Sequence, residues 1–241
     1  YVVIVGESAR RSNMKLYGFH QDTTPVESLL AKDSLIFSNA IAPASATVLS
    51  VPMILSKADP DHFTTDKLAD NIVSVAKKTG YHTEWISAQG NTGKSNNYIV
   101  AIASISHKAQ WIDTRYDTEL LPALDEALKA PGRKLIFLHI NGSHEMACDR
   151  YPPSANILHT GNKYEDCYNN AILFTDYFIG EVAKRLQGSA SSLLYFSDHG
   201  LEKNPQLNSI YMHGSRNPSK EAYQVPQFIW YSQQALNAQK R

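Results

Sequence analysis

The stretch Leu193-Leu194-Tyr195-Phe196-Ser197-Asp198-His199-Gly200 decides how the rest of the chain reads. An apolar run carries an adjacent carboxylate and imidazole to its end, directly before a glycine. Buried strands of parallel α/β sheets have this pattern, and ligands of such sheets sit beyond the carboxyl ends of the strands. The first residues repeat it: Tyr1-Val2-Val3-Ile4-Val5-Gly6-Glu7 is again an apolar run, then glycine and an acid. Side by side, the two strand ends would gather Glu7, Asp198 and His199 around one cation. Mixed oxygen and nitrogen donors with a position left open point to a catalytic zinc site, not a structural one.

Outward from these two ends, the chain alternates. Strands are expected at Val2–Val5, Leu35–Phe37, Tyr81–Ile86, Leu135–His139, Leu193–Phe196 and Gln227–Trp230. Thr24-Pro25-Val26-Glu27 combines a capping box with proline at the first helical position, opening a short helix through Leu30. Ser45 to Pro52 reads as a loop entering a helix. From Asp66 to Thr79, Leu68, Ile72, Val75 and Ala76 follow the helical period, and Gly80 terminates it. Leu120–Leu128 is helical, and Tyr164–Leu186 is a long helix with Ile172, Thr175, Phe178, Ile179, Val182 and Leu186 on its apolar face. Strands alternating with helices predict a three-layer αβα sandwich around a mostly parallel central sheet. No internal repeat or domain boundary is visible, so residues 1–241 read as a single soluble catalytic domain. The polar segments 145–162 and 201–223 read as surface loops near the site.

Bulk composition narrows the function. The chain has 241 residues and 43% hydrophobic content, enough to bury a full core, and 23 basic against 23 acidic residues. Zero net charge without a basic run argues against nucleic acid as a partner. No window approaches the length of a membrane span. The chain begins at Tyr1 on a core strand without methionine or leader, which reads as a domain excised from a longer protein. Cys148 and Cys167 share one loop-rich stretch. In an oxidising compartment they would form one disulfide, contributing roughly 3 kcal/mol on the loop-entropy model; the alternative is two unpaired thiols.

Other residues converge on strand ends or helix starts. His139 ends its strand, and Asn141-Gly142-Ser143-His144 follows at once; as a near-core histidine, His139 orients its neighbours more readily than it binds metal. Tyr211-Met212-His213-Gly214 lies in a loop long enough to fold back over Asp198-His199. Thr47 stands where a helix would begin, a position that favours negative charge on an attached oxygen, with Ser45 and Ser50 as rival nucleophiles on composition alone. Gln89-Gly90-Asn91-Thr92-Gly93-Lys94-Ser95 is not a phosphate loop, because its two glycines stand too close together.

In order along the chain, Val5-Gly6-Glu7-Ser8-Ala9-Arg10, Leu16-Tyr17-Gly18-Phe19, Thr23-Thr24-Pro25, Ala46-Thr47-Val48-Leu49-Ser50-Val51-Pro52, Asn141-Gly142-Ser143-His144, Ser197-Asp198-His199-Gly200 and His213-Gly214 resemble the periplasmic catalytic domain of the phosphoethanolamine transferases, within the alkaline phosphatase/sulfatase superfamily. The resemblance implies an alkaline-phosphatase-like fold and a catalytic zinc bound by Glu7, Thr47, Asp198 and His199, with Thr47 as nucleophile. It implies that His144 and His213 contact the transferred phosphate or a second zinc. Gln89 falls near a family amide that contacts the phosphoethanolamine group, and Lys94 matches a family lysine in the same region.

The donor implied is phosphatidylethanolamine, and the acceptor is lipopolysaccharide, at lipid A or core, or another periplasmic glycan. An N-terminal membrane domain of several helices would hold the enzyme at the periplasmic face of the bacterial inner membrane. Many lipid A-modifying members place cysteines around the nucleophile; here Pro43 and Met53 stand there, and only Cys148 and Cys167 remain. Rival expectations are a phosphoglycerol transferase, phosphatase or sulfatase of the same superfamily, and a non-catalytic domain binding glycans or lipid head groups. The modified-residue motif of sulfatases is absent around Thr47.

Overall fold

The computed structural model describes residues 1–92, 97–203 and 211–239; Lys94 lies outside them. In chain order the elements are β1 (Val2–Gly6), α1 (Pro25–Leu30), β2 (Ser34–Ile36), α2 (Thr47–Leu55), α3 (Thr65–Ala69), α4 (Ile72–Lys78), β3 (His82–Ser87), α5 (Asn97–Ala103), β4 (Lys108–Trp111), α6 (Leu121–Leu128), β5 (Lys134–His139) and α7 (Lys163–Leu186). There follow β6 (Ser192–Ser197), β7 (Glu202–Lys203), β8 (Tyr211–Met212), α8 (Lys220–Tyr223), β9 (Gln227–Tyr231) and α9 (Gln233–Gln239). A seven-stranded sheet runs β2-β9-β6-β1-β5-β3-β4, parallel from β4 through β6, with β9 antiparallel to both of its neighbours. No helix among the described residues is long and apolar enough to cross a membrane.

The two-residue period of β1 builds both layers of core. Val2 and Ile4 pack with Leu121 and Leu124 of α6 and with Ile172, Phe178, Ile179, Val182 and Leu186 of α7. Val3 and Val5 face the other way, among Val51 and Leu55 of α2, Val73 and Ala76 of α4, and Ile99 and Ile102 of α5. A strand sandwiched between two helical layers has no polar side, which explains the unbroken apolar runs of β1 and β6. The αβα sandwich expected from the sequence is the architecture found.

Three local expectations fail, each for an identifiable reason. The helix expected from Asp66 to Thr79 is two helices. Asn71 divides them: its amide donates to Leu68 O and Ala69 O while its Oδ1 accepts the Ser74 N–H at 2.9 Å, closing α3 and capping α4. The break rotates the buried face, so Val73 and Ala76 enter the core while Ile72 and Val75 each stay 45% exposed. The edge strand β4 was not expected, because Lys108-Ala109-Gln110-Trp111 lacks both an apolar run and clean alternation.

The capping box at α1 does not form either. Thr24 Oγ1 accepts the Leu16 N–H, and the α1 amides of Val26 and Glu27 donate instead to Asp176 of α7, at 2.9 and 2.7 Å. Pro25 does occupy the first turn, as its fixed φ favours.

This substitution of caps leaves Glu27 buried, with both carboxyl oxygens free of hydrogen bonds. Burial and then the neighbouring Asp176 raise its pKa well above the ordinary value, and burial raises Asp176 to about 7. The folded chain therefore keeps protons that the unfolded chain releases above the ordinary values of 4.5 and 3.8. By linkage, stability attributable to this pair falls as pH rises from those values to about 7. Thermal melts should show Glu27→Gln matching the native chain near pH 4 and exceeding it by about 1–3 kcal/mol near pH 8. Parallel melting curves for the two proteins across that range would refute the assignment.

Candidate active site

Register places the site. Gly6 pairs with Ser197, Val5 with His139, and Ser87 with His139, so β1, β6, β5 and β3 end at one level. The residues that follow these strands, Glu7, Asp198, Asn141–His144 and Ala88–Gln89, emerge together at the carboxyl edge. Gly6 permits this closeness: a Cβ there would lie 2.6 Å from the Tyr195 ring and 2.8 Å from Phe196 O. Gly142 does the same from the β5 side; with φ +50°, its added Cβ would stand 2.8 Å from Glu7 O. Asp117 holds that turn, accepting the Asn141 and Gly142 N–H groups at 2.8 and 2.9 Å.

Glu7, Asp198 and His199 are buried to 2% exposure or less and form a cluster able to hold a metal ion. His199 Nε2 lies 3.2 Å from Glu7 Oε1 and 3.5 Å from Asp198 Oδ2. Thr47, the first residue of α2, donates from Oγ1 to Glu7 Oε2 at 2.8 Å and stands 3.1 Å from His199 Nε2. Donors 2.0–2.2 Å from a tetrahedral ion stand about 3.3–3.6 Å apart, close to the spacings of His199 Nε2 from the two carboxylates.

The surrounding hydrogen bonds aim the donors inward. His199 Nδ1 faces the carbonyl of Gly200 at 3.1 Å, which can only accept, so the Nδ1 proton is held there and a cation that displaced the Nε2 proton would meet the Nε2 lone pair. Asp198 Oδ1 accepts the N–H groups of Ser8 and His199, whereas its Oδ2 is buried without a hydrogen bond. An orphaned carboxylate oxygen in a dry site is what a cation would satisfy.

Electrostatics agree. Burial alone would lower the pKa of His199, yet Asp198 and Glu7 raise it to about 10. Burial pushes Glu7 up, but the charge and hydrogen bond of His199, with His144 and Ser8, hold it well below the ordinary range. Burial and then Glu7 raise Asp198 to about 7. The pocket thus favours positive charge at its centre. Glu7, Thr47, Asp198 and His199 fit zinc in donor type, spacing and field.

Of the other expected residues, Gln89 joins the cluster from the turn after β3, its Nε2 donating to Glu7 Oε2 at 3.0 Å and Ile140 O at 2.9 Å. His144 and His213 stand with ring centroids 5.2 Å apart, and His213 stacks on His199 at 5.0 Å. Ser50 cannot rival Thr47, since its buried hydroxyl donates to Asp198 O. His139 stays outside the cluster, with Nδ1 3.2 Å from Ser87 Oγ and its pKa pushed down to about 4 by burial. Cys148 and Cys167 are joined as a disulfide, tying the loop after His144 to α7.

Sequence reading missed four contributors. Ser8 adopts a left-handed φ of 63°, donates its N–H to Asp198 and gives its carbonyl to the Tyr168 hydroxyl at 2.6 Å. A strained non-glycine residue beside a ligand is a site feature that no local pattern announces. Asp117, Glu145 and Arg150 are the others, and they too become visible only through partners distant in sequence or across a loop.

A cavity of about 400 Å³ is lined by Glu7, Thr47, Gln89, His144, Arg150 and His213. A larger groove of about 1080 Å³ lies at the opposite, amino ends of the strands. Of its cations, Lys134 donates to Ala130 O and Gly132 O, Arg133 to Thr79 O, and Arg185 to Asp125 and Glu181, whereas the metal-type donor Glu7 lines the smaller cavity.

Fold and site together define a class. The chain belongs to the sulfatase family, whose model matches residues 1–241. Among relatives it is 39% identical to YhbX of Escherichia coli (strain K12), over 96% of this chain and 43% of that protein. It is 32% identical to the phosphoethanolamine transferase OpgE of the same strain, over 94% of this chain and 44% of the relative. The chain thus spans about half the length of the curated relatives it matches, and less than half of these two. The C-terminal periplasmic domain of Escherichia coli EptC, crystallised in complex with zinc, superposes over all of this chain and 74% of that one, with a TM-score of 0.87 at 26% identity. The alkaline-phosphatase-like fold expected from sequence is therefore the one present.

Removing one buried donor leaves the remaining carboxylates uncompensated as well as lowering the ligand count. Glu7→Gln, Asp198→Asn and His199→Gln should each weaken zinc binding more than about 100-fold in chelator competition. Native affinity in any of these variants would remove that residue from the ligand set.

Proposed function

We propose that the chain is the catalytic part of a zinc-dependent phosphoethanolamine transferase. It would take the group from phosphatidylethanolamine, hold it on Thr47, and pass it to lipopolysaccharide, at lipid A or core, or to another periplasmic glycan. The observation that carries this reading is the position of Thr47 Oγ1, within hydrogen-bond reach of both Glu7 and His199 at the start of α2. A threonine serving only as a helix cap would turn its hydroxyl to the backbone N–H groups of its own helix; this one turns it into a cluster of metal-type donors. The relatives named as phosphoethanolamine transferases and the zinc complex of EptC support the substrate class and the metal.

Zinc bound among Glu7, Thr47, Asp198 and His199 supplies Lewis acidity, which lowers the cost of ionising a hydroxyl near neutral pH. Glu7 Oε2 receives the Thr47 hydrogen bond and so orients Oγ1 toward the cavity. Attack by Oγ1, whose proton leaves to solvent in the cavity, forms the new P–O bond on the donor phosphorus while the bond to diacylglycerol breaks, and the departing alkoxide takes up a proton from that solvent. An acceptor hydroxyl or phosphate then displaces Thr47 in a second in-line step, giving ping-pong kinetics. The first turn of α2 offers its backbone N–H groups to the negative charge, and His144 and His213 stand beside the phosphoryl position. The periplasmic face of the inner membrane, reached through a membrane segment of the longer protein, is the location this substrate pair requires.

Thr47→Ala should abolish diacylglycerol release from phosphatidylethanolamine while zinc remains bound, though more weakly. Mass spectrometry of the native chain after donor alone should find phosphoethanolamine on the Thr47 peptide. Unimpaired turnover by Thr47→Ala would sink the proposal. Turnover of phosphatidylglycerol in place of phosphatidylethanolamine would reassign the chain to phosphoglycerol transfer. Mass analysis of lipid A, core and glycans from cells with and without the gene identifies the acceptor.

A further inference from the structure

Arg150 brings a guanidinium to the wall of the cavity that Glu7 and Thr47 also line. The backbone beneath it is fixed on both sides. Its N–H donates to Ala147 O at 3.1 Å, and Cys148, just before it, is bonded to Cys167 of α7. Tyr151, just after it, is buried and packs with Ala171 and Phe174 of the same helix.

The charge placed there is not answered within the chain. Nη2 lies 3.3 Å from His144 Nδ1 and donates to Glu145 O at 3.0 Å. Nε is buried without a hydrogen-bond partner, and Nη1 makes no hydrogen bond among the described residues. No carboxylate among them forms an ion pair with Arg150. Acids stand in the neighbourhood but are engaged elsewhere. Asp117 feels the Arg150 charge, yet gives its two oxygens to the Asn141 and Gly142 N–H groups. The Glu145 carboxylate accepts the His213 N–H at 2.9 Å. A guanidinium is always charged, and its parallel donors match a phosphate or a carboxylate. Part-buried without a counter-ion it is costly, and a bound anion removes that cost.

Position and charge decide which anion this is. From the nucleophile, contacts run from Thr47 Oγ1 to His199 Nε2 at 3.1 Å, then to His213 and His144 at ring-centroid steps of 5.0 and 5.2 Å, and only then to Arg150. A phosphoryl group on Thr47 is answered at the near end of this row, where the cluster favours a cation and the first turn of α2 offers N–H groups. The donor has no second anion to offer. Apart from its phosphate, phosphatidylethanolamine is a neutral diacylglycerol and an ethanolamine whose ammonium a guanidinium repels. The remaining source is the acceptor.

We propose that Arg150 is a specificity-determining residue for the second transfer step. It selects an acceptor that carries a fixed anionic group, phosphate or carboxylate, beside the group on which it accepts. Nε and Nη1 hold that anion, which takes no part in bond making. The inference rests on the transferase reading and narrows the acceptors left open there: acidic saccharides are used well, and neutral ones poorly.

Transfer from phosphatidylethanolamine micelles by the zinc-loaded chain is measured with glucose, glucose 6-phosphate and glucuronate as acceptors, the last two separating phosphate from carboxylate. The native chain should use at least one anionic sugar about tenfold or more better than glucose in kcat/KM. Arg150→Met should lower that ratio about tenfold to a hundredfold, and Arg150→Lys, which keeps the charge without the fork, should recover part of it. Because both acceptors share one donor step and one enzyme preparation, the ratio cancels any change in donor turnover or folded fraction. A native ratio near one would overturn the inference. So would a ratio that Arg150→Met leaves unchanged while both rates fall, which would hand the guanidinium to the transferred phosphoryl group. A native chain that releases no diacylglycerol overturns the transferase reading instead. Calorimetric titration with glucose 6-phosphate then tests the anion site by itself: affinity at least about tenfold weaker in Arg150→Met keeps it, and equal affinity removes it.

Discussion

Two carboxylates and an imidazole buried at the carboxyl edge of a sheet are the constraint on which this structure turns. Neither Glu7 nor Asp198 can shed charge to solvent, and the Oδ2 of Asp198 lacks a hydrogen bond. Such a cluster is tolerable only if each remaining lone pair is satisfied and a positive charge stands at its centre. The surroundings meet the first condition with backbone and hydroxyl donors: Ser8 and His199 N–H on Asp198, Ser8 and Thr47 hydroxyls and the Gln89 amide on Glu7. The second condition is what a divalent cation supplies.

The need to hold these donors still explains several features remote from chemistry. Tyr168, on α7, accepts the Arg10 N–H and donates to Ser8 O, fixing the strained turn after β1. Asp117 fastens the turn after β5 by two backbone N–H groups, although burial raises its own pKa to about 6. The disulfide anchors the next loop to the same long helix. Helix α7 is thus both the floor of one core layer and the backing of the site, so packing stability and site geometry are shared properties of one element.

Much of the fold was legible because its period is simple. Strands covered on both faces read as apolar runs, and β1, β5 and β6 were all found that way. What escaped was decided by competition between partners. Thr24 and Glu27 have the right spacing for a capping box, but Asp176 reaches the helix start first and Thr24 serves Leu16 instead. One asparagine split an otherwise continuous helical period between α3 and α4. β4 lies at the sheet edge, where pairing with β3 replaces the hydrophobic pattern that would have announced it. In the site, Glu7, Asp198 and His199 were legible as polar residues ending apolar strands. Arg150, Glu145 and Asp117 were not, since each acts through backbone or imidazole groups brought near by folding.

By itself the sequence determined the layer architecture and the donor set, because strand period and residue type are local properties. Residue type left the candidate nucleophile open among Ser45, Thr47 and Ser50, and the family resemblance is what singled out Thr47. The tertiary structure alone decided which strands lie side by side, and hence that β1 ends between β5 and β6 with Glu7 facing His199. It also decided that Arg150 stands beside His144 in the cavity that Glu7 and Thr47 line. The physical reason is range. Burial periodicity acts over a few residues, whereas ligand geometry depends on hydrogen bonds of about 3 Å between segments that only packing brings together.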